Sequence, residues 1–116
     1  MSRADAFVDL VHDSVERLER RWPQLSEVEF SVREVPRPEP AGGDAFAAGE
    51  DTVPLGSLLP SEAGRRDRIV IYRRPVEIRT KNREERALLV HEVVVEQVAE
   101  LLGLAPESVD PRYGQD

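Results

Sequence analysis

The chain has no cysteine. That excludes disulfides, thiolate metal sites and cysteine nucleophiles. Histidine is almost as scarce, with only His12 and His91. Aromatic residues number six, so the core must rest mainly on aliphatic side chains. Long apolar runs are missing too. The first 22 residues contain none, which argues against a signal peptide or a membrane span and leads us to expect a cytoplasmic protein. Positive charge is in deficit, with a net charge of −7. Such a balance disfavours a general nucleic-acid binder, because phosphate backbones reward a positive surface. No serine stands in a nucleophile-elbow context, and no glycine-rich phosphate loop follows a strand. Gly42-Gly43 sits among prolines and reads as flexibility.

What is present suits one small domain. The 116 residues are 40% apolar, enough for a single modest core. Residues 3–21 carry Phe7, Leu10, Val11, Val15 and Leu18 at helical spacing. Ser2 and Asp5 form a capping-box start, and Pro23 ends the segment. Val28, Phe30 and Val32 then alternate with polar neighbours, predicting a strand with one buried face. Residues 36–50 hold three prolines and three glycines and read as a flexible loop. Val53 to Leu59 suits a short edge strand, demoted by Pro54 and Gly56. Arg68 to Tyr72 suits an interior one, and Pro75 opens a helical turn through Arg79. Asn82 with Glu85 starts a long helix to about Leu102, with Gly103 as its left-handed stop. Residues 1–105 are thus read as one domain, and 106–116 as a loosely ordered tail.

Charge is unevenly spread. Residues 63–86 carry +5, leaving −12 for the remainder. Most simply this is a solvated face that pairs with acids elsewhere in the chain. The alternative is an adaptor surface in which Arg65, Arg66, Arg68, Arg73 and Arg74 bind an acidic partner.

On a helical wheel His91 sits at the centre of an apolar face with Ala87, Leu88, Val94, Val95, Val98 and Leu102 around it. Glu92 lies at the border of that face. Leu89 and Val93 fall on the opposite side, so the helix is either sandwiched inside the domain or meets a partner, and this pair is a candidate self-association surface. The run Val90-His91-Glu92-Val93-Val94-Val95 holds the first half of H-E-x-x-H, in which two imidazoles one turn apart hold zinc and the glutamate acts as general base. The second ligand position is occupied by Val95, which cannot bind a metal.

With Asp67-Arg68-Ile69-Val70-Ile71-Tyr72-Arg73-Arg74-Pro75 before it, this helix resembles that of the small bacterial zincin-like metallopeptidases. The resemblance implies an α+β fold with a leading helix, a small mixed sheet and a long motif helix. It implies that His91 is a remnant zinc ligand and Glu92 a remnant general base. The family's later glycine and third ligand have no clear counterpart, Glu107 and Asp110 being the nominal candidates, and His12 projects off the apolar stripe of its helix. A degenerate, non-hydrolytic member with a binding or regulatory role and no cofactor is the leading expectation, its partner another protein or a second copy. The alternative is a divalent-metal hydrolase with an altered ligand set, zinc being the metal.

Overall fold

The computed structural model describes residues 2–36, 53–59, 61 and 66–114. Most of the 36–50 loop, and Arg65, lie outside the described residues.

Helix α1 spans Arg3–Glu19. Its start is fixed by a reciprocal capping box, in which Ser2 Oγ accepts the Asp5 N–H and the Asp5 carboxylate accepts the Ser2 N–H. Pro23 opens a 3₁₀ turn, Pro23–Glu27, which leads into β1, Glu29–Arg33. Strands β2, Gly56–Leu59, and β3, Arg68–Tyr72, complete the sheet. The strand order is β1-β3-β2, with β1 parallel and β2 antiparallel to β3. The uninterrupted apolar run Ile69-Val70-Ile71 therefore takes the centre, and all three side chains are essentially inaccessible. Glycine at position 56 has a steric reason. A β-carbon there would lie 2.9 Å from Val93 Cγ1 and 3.0 Å from the Val70 carbonyl oxygen, so β2 approaches the long helix more closely than a side chain allows.

Helix α2, Arg73–Ile78, leads into α3, Arg83–Leu102. Asn82 caps α3, its side-chain oxygen accepting the Glu85 N–H at 2.9 Å. Gly103 ends it at φ 70°, ψ 32°, the left-handed conformation a glycine adopts at little cost. A final turn, α4, covers Pro106–Val109.

The core explains the order of the layers. Helix α3 contacts α1 on one side and strands β2 and β3 on another. Its residues Val90, Val93, Val94, Val95 and Val98 are all at most 2% exposed. They pack with Phe7, Val11 and Leu18 of α1, Leu25, Ile69, Ile71 and Val76. Burying each aliphatic side chain contributes about 1.5–3 kcal/mol, so a helix buried on two faces anchors the whole fold. Among the described residues no helix is long and apolar enough to cross a membrane.

Three expectations need correction. Val93 is 2% exposed and lies beneath β2, so it belongs to the core and not to a self-association surface. Leu88, assigned to the buried face around His91, is instead 68% exposed. The wheel treats the helix as straight and uniformly covered, whereas packing near its N-terminus covers only some directions. Residues 106–114 were expected to be loosely ordered. They carry α4, place Val109 at 0% exposure and tie back to the domain through a hydrogen bond from Trp22 Nε1 to the Val109 carbonyl at 3.0 Å. One apolar anchor and one backbone acceptor hold what a short, aperiodic sequence does not advertise.

Candidate functional site

His91 stands on α3 where that helix faces α1. Its side chain is 18% exposed, and both ring nitrogens are engaged. Nδ1 lies 2.6 Å from Ser14 Oγ of α1. Nε2 lies 2.6 Å from Asp110 Oδ2, just after α4. A neutral ring satisfies all three groups if Ser14 donates its hydroxyl proton to Nδ1 and Nε2–H donates to the carboxylate. The other oxygen of Asp110, Oδ1, accepts the Arg112 N–H at 2.9 Å. Burial works to raise the Asp110 pKa, but the hydrogen bonds from His91 and from the Arg112 N–H, with the positive charge of Arg112, hold it below the ordinary value.

Sequence reasoning missed Ser14, although a signal was there. Phe7, Leu10, Val11, Ser14 and Leu18 are the buried residues of α1, and Ser14 is the one polar member of that stripe. A polar side chain in an otherwise apolar stripe requires a partner. Asp110 was named only as a nominal third ligand; the structure does bring it to His91, as a hydrogen-bond acceptor.

A cleft of about 730 Å³ opens beside this array, lined by His91, Glu92, Leu89, Asp110 and Tyr113 among others. Glu92 is exposed at its edge. The Tyr113 hydroxyl donates to the Glu96 carboxylate. That bond, with burial and the nearby charges of Glu96, Glu92 and Glu107, pushes the phenol up to about 12. Glu107 is exposed and Val95 is fully buried.

The arginines divide. Arg68 pairs with Glu29 at 2.6 Å. Arg73 pairs with Glu77 at 3.1 Å and also with Glu34. The hydrogen bond from Arg73 is the main cause of a lowered Glu34 pKa, and the same bond raises that of Arg73. Two of the five named arginines thus pair with the chain's own acids. Arg66 and Arg74 are exposed.

A protein-family model, the zincin-like metallopeptidase, matches residues 25–115. This chain belongs to that family. Comparison with curated proteins finds no match. The match includes β1 to β3 and α3, and leaves α1 outside it.

Membership implies zinc, and the side chains can be tested against it. Zinc requires an unshared nitrogen lone pair and two or three further donors converging on one point. In this zincin-like domain both nitrogens of His91 already face hydrogen-bond partners. Val95 offers an isopropyl group, packed in the core. Among the described residues no three His, Cys, Asp or Glu side chains are grouped to hold a metal ion. The residues present do not fit zinc. Nor is the Ser14–His91–Asp110 array a serine-nucleophile triad of the usual kind. Ser14 is 1% exposed in the interior of α1, where substrate cannot reach Oγ and the backbone N–H groups are bonded within the helix.

Proposed function

We propose that this chain is a zincin-like domain that has lost zinc hydrolysis and acts by binding another molecule. The observation that carries the reading is the double engagement of His91, with Ser14 on one nitrogen and Asp110 on the other. In an active site of this type the imidazole orients a metal. Here the imidazole joins α1, α3 and the segment after α4. The loss of the second ligand at Val95 points the same way, since a valine there fills the core. Glu92 keeps the position of a general base, and as an exposed carboxylate at the cleft edge it is free to contact a ligand. The cleft itself persists, and binding is the role it supports.

Metal content tests this directly. Protein purified without a histidine tag and dialysed against metal-free buffer should contain far less than one equivalent of zinc by elemental analysis. Stoichiometric zinc surviving dialysis, with hydrolysis of a peptide substrate that a chelator abolishes, would overturn the reading.

A further inference from the structure

Strand β1 stands at one edge of the sheet. The order is β1-β3-β2, so among the described residues nothing pairs with its outer side. On the inner side the Glu29 N–H donates to the Asp67 carbonyl at 2.9 Å. Alternate residues of a parallel ladder bond the same neighbour. Glu29, Ser31 and Arg33 therefore turn their backbone groups to β3, and Phe30 and Val32 present theirs to the outside. Side chains alternate between the faces. Phe30 and Val32 lie on the face packed against the core, both only partly buried, and Glu29, Ser31 and Arg33 lie on the other.

The strand sequence, Glu29-Phe30-Ser31-Val32-Arg33, carries opposite charges at equal separation from its central residue. Both charges have bonding capacity left. Arg68 engages only Oε1 of Glu29, and the guanidinium of Arg33 makes no hydrogen bond or ion pair to a described residue. Ser31 Oγ is buried and has no hydrogen-bond partner. On the core-facing side, His12, Val15 and Glu16 of α1 and Phe30 line an open notch of about 420 Å³. The other edge strand, Gly56–Leu59, holds no charged residue and defines no comparable register.

We propose that the free edge of β1 pairs antiparallel with β1 of a second copy of this chain, about a two-fold axis at Ser31, to join two sheets into one. That register places Glu29 of each copy opposite Arg33 of the other. Phe30 and Val32, whose backbone groups face outward, exchange both N–H···O bonds with Val32 and Phe30 of the second copy. Ser31 then meets Ser31 in the non-hydrogen-bonded kind of pair, where side chains stand closest, and rotation about χ1 brings the two hydroxyls into bonding reach. Phe30 packs beside Val32 of the second copy and extends the core across the junction. Parallel pairing would instead set Glu29 beside Glu29 and Arg33 beside Arg33, and a slip of one residue would turn every side chain to the wrong face. The net charge of −7 opposes approach, but that repulsion is screened over about 8 Å at physiological salt, whereas the strand ends meet in contact with opposite sign. The proposal goes beyond the non-hydrolytic reading and is independent of it, since no residue of β1 lines the cleft beside His91.

Sedimentation equilibrium of the full-length, untagged protein over a range of concentrations tests this. Wild type should show a monomer–dimer equilibrium. Glu29→Arg and Arg33→Glu each set like charges opposite one another at both ends of the junction, and each should raise the dimer dissociation constant about tenfold or more. An equimolar mixture of these two variants restores opposite charge at every end and should dimerise again, as should the double variant Glu29→Arg with Arg33→Glu. Both positions are exposed, and the Glu29–Arg68 pair is a surface one that contributes little to folding, so circular dichroism should be unchanged. Val32→Pro removes an outward N–H that β3 does not use, and should give a folded monomer. If that variant unfolds, the charge variants and their mixture decide alone. The proposal is overturned if wild type stays monomeric at millimolar concentration, if the single charge variants dimerise as well as wild type, or if their mixture remains monomeric.

Discussion

Val95→His restores the two-histidine spacing of the zinc motif and should nevertheless fail to make a zinc site. Val95 is fully buried among Val94, Val98 and the residues they pack against. A larger side chain there costs about 1–3 kcal/mol in overpacking, and its ring nitrogens, if left without partners, about 1–3 kcal/mol more, so roughly 2–6 kcal/mol in all. A 116-residue domain has on the order of 6–17 kcal/mol of stability, so the variant should fold, but with a thin margin. At a typical urea dependence of about 2 kcal/mol per molar, the midpoint should fall by about 1–3 M. Zinc should restore little of it, because binding requires His91 to release Ser14 or Asp110. The assay is urea denaturation with and without zinc, alongside elemental analysis of the dialysed variant. A ligand present at a hundred times its dissociation constant stabilises by about 2.7 kcal/mol. A midpoint near wild type that climbs by that amount with zinc would show that the helix still faces an open metal cleft, and the account of His91 given above would be wrong.

Asp110→Ala leaves His91 Nε2 without its acceptor and should cost about 1–3 kcal/mol, with hydrogen exchange accelerated first in residues 106–114; unchanged protection there would mean that Asp110 holds nothing. Because the folded Asp110 carboxyl titrates below its ordinary value of 3.8, its contribution is present above that value and fades as pH falls through the lower folded one. The stability gap between wild type and Asp110→Asn should accordingly narrow in strong acid, and a gap that widens would contradict the sign. Tyr113, pushed up to about 12, should give an ultraviolet ionisation step well above the usual tyrosine range, and Tyr113→Phe should abolish it. Its bond to Glu96 is then kept below pH about 10 and lost as pH rises through about 12, again from a raised folded value. Val93→Asp should unfold the domain or strongly destabilise it, since it places a charge in the core; circular dichroism decides, and a folded variant would mean that Val93 is accessible after all.

Much of the fold was legible in the sequence because local rules and packing agreed. Ser2 with Asp5, Asn82 with Glu85, and Gly103 each use one side chain or one backbone preference, and each is found in its expected role. The unbroken apolar run Ile69-Val70-Ile71 marked the central strand for a similar reason. What failed depended on distant residues. Val93 was placed opposite His91 and expected at a surface, yet Gly56, 37 positions earlier, brings β2 down onto it. The candidate site was half legible. His91 and Glu92 announce themselves through their spacing, but the partners that give His91 its present surroundings are 77 residues upstream and 19 downstream. No periodicity links a serine in one helix to an aspartate beyond another.

The position of α1 also separates two kinds of boundary. The family match begins at Leu25. The packed core begins earlier. Phe7, Val11 and Leu18 are each at most 4% exposed, and together their burial is worth on the order of 5–9 kcal/mol, comparable with the whole net stability of a domain this size. A fragment cut at the start of the match would shed that helix, uncover apolar surface on α3 and leave His91 Nδ1 without Ser14. Such a fragment would be prone to aggregate. The matched segment is therefore shorter than the packed core, and the helix outside the match supplies Ser14, which bonds His91 inside it.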